Sequence, residues 1–180
     1  NEKIDEKDEK IVLDLSGCML DRANLAKIDL GWSNLRGASL RYANLRESIL
    51  IRIRAEGADL EGVKGTGINL EKARLKKAKL NGAVFRAANL KWIHLEEADL
   101  SNSKFERCSL QGAHFENAIL NNAHFERADL NNVFFTGAMI DKTSMTSIVK
   151  AYNWRKAHFD PETREKMEKI ELHLQQSRRT

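Results

Sequence analysis

A single proline, Pro161, and only two cysteines, Cys18 and Cys108, occur in 180 residues, and aromatic residues make up just 7% of the chain. Two cysteines without C-x-x-C spacing build no disulfide framework and no thiolate metal cage. No apolar run approaches the ~20 residues needed to cross a bilayer, so no membrane insertion is expected. No signal peptide is recognisable, and the first residue is Asn1, so a cytoplasmic location is favoured while a removed leader stays open. Charge of one sign is also scarce: a net charge of +4 is small for this length. It disfavours an acidic DNA mimic and permits an anionic partner. Catalytic signatures are missing too. The sequence contains no phosphate loop, nucleophile elbow or cysteine–histidine pairing, and its carboxylates are dispersed.

What is present is a beat of five. Large apolar residues recur from Leu15 to Met145, as in Leu30, Leu35, Leu40, Leu45 and Leu50, and later Phe105, Leu110, Phe115, Leu120 and Phe125. Only Ala55 and Gly65 break the run. Two residues before each stands mostly alanine (Ala23, Ala38, Ala43, Ala73, Ala88, Ala98, Ala128), otherwise a small or β-branched residue apart from Leu13, and between them often Asn or Asp. Neither a helix, with period 3.6, nor a strand, with period 2, produces this spacing. One large and one small inward residue per five cannot fill a thick globular core. They can fill a thin one made of stacked coils, each burying its neighbour.

The pattern A(N/D)LXX resembles that of the pentapeptide-repeat family over roughly three quarters of the chain. The resemblance implies an all-β solenoid, a right-handed quadrilateral β-helix with four pentapeptides per coil. About 27 repeats then make about seven coils, ~30 Å long. Three segments are expected: a charged N-terminal segment 1–10, the β-helix 11–145, and an α-helical C-terminal cap 146–180. Residues 11–13 are expected to cover the first coil. Ile148 with Tyr152, and Ala151 with Arg155, suggest a first cap helix. Asp160-Pro161 marks the start of a second, whose stripe is Met167, Ile170 and Leu174. The stretch from Ala151 to Pro161 is similar to tails of cyanobacterial members. Capping is the favoured role of this end, with dimerisation as the alternative.

A period of 20 sorts residues into columns. Phe85, Phe105 and Phe125 share one inner column, and Phe115 and Phe135 another, which reads as interior packing. Cys18 and Cys108 fall on different sides, ~20 Å apart, too far for a disulfide. Both are expected to be buried and reduced. The glycines around Ala55 and Gly65 predict a distorted coil, either a tolerated irregularity or a binding notch.

Two outward constellations are candidates for function. His94 and His114 share a column flanked by Glu96 and Glu116, a weak divalent-metal candidate whose alternative is a solvated polar ladder. Trp32, Arg52, Lys72 and Trp92 share another column, with Arg54 and Arg74 beside it and Arg36 and Lys76 flanking. This candidate docking face suits an acidic protein surface or a phosphate-rich ligand. The alternative is self-coverage of the indoles by arginine and lysine stems. No cofactor and no catalytic residue is expected. The reading is a non-enzymatic interaction module for an unknown protein partner, monomeric or dimeric through its cap, with nucleic acid disfavoured. Resemblance to the quinolone-resistance branch of the family supplies a further reading, a DNA-mimic modulator of DNA gyrase, and weak metal or anionic-ligand binding supplies another.

Overall fold

The structure, a computed structural model, describes residues 12–177, so the charged segment 1–10 and Ile11 lie outside the described residues. From Asp14 to Met139 the chain forms a solenoid of isolated parallel bridges, each joining a residue to the one twenty positions on, as in Asp14↔Asn34 and Ile119↔Met139. Four pentads therefore make one turn. Each side is too short to be a conventional strand, and the ladder is built from single rungs. The large inward residue donates its N–H to the rung above (Leu95 N to His114 O, 2.8 Å), and the outward residue before it donates to the rung below (His94 N to Ala73 O, 2.9 Å).

Corners explain the beat. In nearly every pentad the small inward residue donates its N–H back to the large one before it (Ala98 N to Leu95 O, 3.2 Å), closing a β-turn. The second turn residue has positive φ at every corner from Gly17 to Gly137. That is the left-handed region a type II turn demands, which favours Gly or Asn. Removing the corner from the coil's interior leaves only two inward side chains per pentad, one large and one small.

Core packing follows the predicted columns. Phe85 stacks on Phe105 at 5.7 Å between centroids and Phe105 on Phe125 at 4.9 Å, while Phe115 stacks on Phe135 at 5.2 Å. Edge contacts such as Phe105–Phe115, at 5.8 Å, lock the two columns together. The distorted coil expected near Ala55 to Gly67 does not occur: bridges Asn44↔Lys64 and Arg54↔Arg74 keep the register. The sizes are exchanged instead. Ile53 and Ile68, both buried, occupy slots that usually hold alanine. A Cβ built on Gly65 would lie 3.0 Å from Phe85 Cδ1 and 3.2 Å from Ile68 Cγ2, so its neighbours fill the space a leucine would have taken.

Both cysteines are free. Cys108 is buried, its thiol donating to the Phe85 carbonyl at 2.8 Å. Burial pushes its pKa up to about 12. Cys18 is only half-buried, contrary to expectation, because no rung lies beneath the first coil among the described residues. Leu13 belongs to that first coil and is not a cover for it: its carbonyl accepts from Asn34 N at 2.9 Å, and both Val12 and Leu13 are exposed.

The cap starts earlier than predicted. Helix α1 spans Lys142–Ile148 with Asp141 as N-cap, so Met145 is a helical residue and not a last repeat. The helix replaces one side of the final turn. Its hydroxyls stand in for rung carbonyls: Ser144 Oγ accepts from Ala123 N (2.9 Å) and donates to Leu120 O (2.6 Å), and Ser147 Oγ accepts from Phe125 N. The ladder then resumes through Asp129↔Tyr152 and Phe134↔His158. Tyr152 is thus an exposed rung residue, and the helix expected through Ala151 and Arg155 is replaced by a 3₁₀ turn, Trp154–Lys156. Helix α2, Pro161–Gln176, begins at the predicted Asp160-Pro161 step and buries Met167. However, the Asp160 carboxylate caps the solenoid and not its own helix, accepting from Gly137 N at 2.9 Å. Phe159 stacks on Phe135 at 4.9 Å, continuing the inner column into the cap.

Candidate functional site

One side of the solenoid carries both candidate constellations. Trp32, Arg52, Lys72 and Trp92 sit at successive corners with φ of 68°, 55°, 57° and 53°. The left-handed region costs a non-glycine residue about 1–2 kcal/mol, and in this same column Gly112 and Asn132 hold the residue types it favours. The Arg52 guanidinium lies 4.6 Å from the Trp32 ring centre and the Lys72 ammonium 5.2 Å from that of Trp92. Trp92 leans onto the next rung, where a Cβ on Gly112 would meet its Cδ1 at 2.5 Å. The indoles are thus partly covered by their own column, yet Trp32 stays 41% and Trp92 47% exposed.

The flanking cations are not a bare basic stripe. Glu56 accepts from Arg36 (2.9 Å) and pairs with Arg74 (3.0 Å). Burial works to raise the Glu56 pKa, but hydrogen bonds from its own backbone N–H and Arg36, with the charges of Arg36 and Arg74, hold it below the usual carboxylate range. Lys76 and Lys77 both reach Glu97, at 2.9 and 3.4 Å, and Lys72 contacts Glu71 at 3.7 Å. Among the described residues, Arg52 and Arg54 make no ion pair. Glu56, Glu97 and Lys77 were missed in the sequence, although the spacing holds the signal: Glu56 is one period after Arg36, and Glu97 one period after Lys77.

Further along the same side, His94 and His114 stack face to face at 4.9 Å, and the ladder continues through Phe134 (4.8 Å) to His158 (4.5 Å). Each candidate histidine turns Nδ1 to the glutamate of its own pentad, His94 to Glu96 and His114 to Glu116, both at 3.0 Å. The structure gathers three of the four candidate ligands: donor atoms of Glu96, His114 and Glu116 lie within 4.8 Å of one another, and His94 is not in that group. Oε2 of Glu96 and Oε2 of Glu116 are buried with no hydrogen-bond partner. Two shallow hollows lie at the cap, one by Lys150 and Glu171 and one by His124 and Lys142, away from this side. The side bearing the candidate residues is an open surface. No described helix is long and apolar enough to cross a membrane.

The family model "Pentapeptide repeats" matches in eight copies over residues 14–52, 56–91, 66–102, 83–122 and 108–146. No curated protein matches the chain. Solved structures similar to it include HetL of the cyanobacterium Nostoc sp. strain PCC 7120, a pentapeptide repeat protein involved in heterocyst differentiation regulation, with 24% identity over 81% of this chain and 82% of that one and a TM-score of 0.28. Rfr23 of the cyanobacterium Cyanothece 51142 shows 21% identity over 81% and 86%, with a TM-score of 0.25. Full-length QnrB1, a plasmid-mediated fluoroquinolone resistance protein, shows 15% identity over 88% and 96%, with a TM-score of 0.31. These likenesses assign no partner or activity to this chain.

Proposed function

The chain belongs to the pentapeptide-repeat family, and on that premise we propose that it is a non-enzymatic interaction module that docks an acidic protein surface on the side bearing Trp32, Arg52, Arg54 and Trp92. One observation carries the reading. Two tryptophans keep nearly half their surface exposed and flank Arg52 and Arg54, which make no ion pair among the described residues. The indoles supply rigid contact area and the open guanidiniums supply bidentate recognition of carboxylates. Arg36, Lys72, Arg74 and Lys76, tied to their glutamates, form a charged rim. Right-handed coiling and about seven coils belong to the same reading, and they make the side a flat, stiff platform.

A gyrase-directed DNA mimic needs an acidic surface, and a net charge of +4 works against it. No inhibition or protection is expected in a supercoiling assay at micromolar protein. The docking side is tested by affinity capture, comparing wild type with Trp92→Ala combined with Arg52→Glu and Arg54→Glu. Wild type is expected to retain an acidic partner whose binding weakens with salt, and the triple variant to lose it. Identical partner sets overturn the proposal.

A further inference from the structure

We infer that Glu96, His114 and Glu116 form a divalent-cation site of the zinc class, separate from the docking reading. Glu96 and Glu116 are one period apart in a single outward column, so the ladder holds two carboxylates at the strand spacing of ~4.8 Å. Each spends Oε1 on a histidine and leaves Oε2 buried and unpaired. An unsatisfied buried carboxylate oxygen is costly, and two facing each other more so. Lys76, one period before Glu96 and electrostatically coupled to it, has its ammonium engaged by Glu97 at 2.9 Å, as has Lys77 at 3.4 Å. A cation bridging both carboxylates removes the deficit.

The donor set selects the ion. One imidazole nitrogen with two carboxylate oxygens suits zinc and its neighbours, whereas calcium and magnesium favour oxygen alone. Tetrahedral donors at 2.0–2.2 Å from zinc stand about 3.3 Å apart. The three donors lie within 4.8 Å, so rotations about the last glutamate bonds close the site, leaving the fourth position to water. His114 is held in plane between His94 (4.9 Å) and Phe134 (4.8 Å), the kind of orientation a ligand imidazole needs.

The molecule contains its own control. Glu106, His124 and Glu126 repeat the same spacing two sides further on, on the opposite side of the turn. There Arg86 pairs with Glu106 at 3.0 Å, and Ser147 donates to Glu126 Oε2 at 3.1 Å. Glu106 Oε2 is buried and unpaired there too, but a guanidinium already balances that carboxylate, Glu126 Oε2 has its own donor, and that triplet's donors do not converge.

Isothermal titration with zinc chloride, paired with cobalt(II) absorption, tests the site on the full chain. Wild type is expected to bind one ion per chain and to give a tetrahedral cobalt spectrum. His114→Phe keeps the ring stack, as Phe134 does in the same column, and removes the donor. It and Glu116→Gln are expected to weaken binding at least about tenfold, while His124→Ala binds as wild type. Circular dichroism of each variant establishes that it is folded. Absence of zinc heat in wild type, undiminished binding by His114→Phe, or equal loss in His124→Ala overturns the assignment. The titration needs no protein partner, so its failure leaves the docking reading untouched.

Discussion

Replacing Gly65 with leucine makes the five-residue run of large residues almost unbroken, yet it is expected to destabilise the protein. Its inner column runs Leu25, Leu45, Gly65, Phe85, Phe105, Phe125. Even a bare Cβ at position 65 would stand 3.0 and 3.1 Å from Phe85 Cδ1 and Cε1 and 3.2 Å from Ile68 Cγ2. Phe85 is backed by Phe105 at 5.7 Å and has little room to retreat along the axis. A leucine that fitted would contribute about 1.5–3 kcal/mol. One without volume costs about 1–3 kcal/mol in overpacking. Phe85→Leu alone opens a void over Gly65, at roughly 1–2 kcal/mol. The double variant restores leucine on leucine, so its loss is expected to fall short of the sum by at least about 1 kcal/mol. For a chain of this size each kcal/mol moves Tm by about 2–4 °C. Urea and thermal unfolding, followed by circular dichroism and tryptophan fluorescence with coincident transitions, give the cycle. A Gly65→Leu protein more stable than wild type, or a double variant additive within about 0.5 kcal/mol, refutes the exchange of sizes.

Gly112→Ala is expected to cost about 1–2 kcal/mol for its left-handed backbone and to push Trp92 off the rung, and an unmoved Trp92 indole N–H resonance would contradict this. Ser144→Ala with Ser147→Ala strands the buried amide of Phe125, at about 1–3 kcal/mol, while the Ala123 amide keeps the Leu120 carbonyl at 3.1 Å. Hydrogen exchange should accelerate at Phe125 while Leu95 stays protected, and unchanged exchange there rejects the Ser147 hydroxyl cap. Cys18 should alkylate at neutral pH while Cys108 resists. Burial raises the folded Cys108 pKa from 9.0 to about 12, so its contribution to stability is full below pH 9 and lost as pH rises toward 12. Equal modification rates for the two thiols overturn that.

Much of the architecture was legible because the ladder couples residues at a fixed separation. The phenylalanine columns, the lack of a Cys18–Cys108 bridge and the placement of His94 over His114 all follow from counting by twenty. The cap boundary was not legible. Met145 keeps the spacing of five by coincidence, since it and Ile148 are already one helical turn apart. Tyr152 and His158 rejoin the ladder at separations of 23 and 24 because α1 lengthens the turn. Likewise Gly65 looks like a defect in one dimension, and only the residue a period later, Phe85, shows that it is filled. On the candidate sites, columns were read for cations and rings but not for the acids between them. Glu56 and Glu97 therefore changed the charge of the side, and the His94 donors lie outside the group formed by Glu96, His114 and Glu116.

Among the described residues, the two ends of the rod are secured unequally, which gives it a direction of unravelling. Each rung rests only on the rungs beside it, so rungs peel from an end. The C-terminal exit is latched by Ser144, Ser147 and Asp160 and plugged by Phe159, whereas Leu15, Leu20 and Leu25 are only partly buried. Heat or tension should therefore strip the leucine-packed turns first, releasing Trp32 and Arg52 while Trp92 and the pair Glu96 and Glu116 remain in place. A partner spanning both tryptophans would act as a clasp across the seam where this peeling begins.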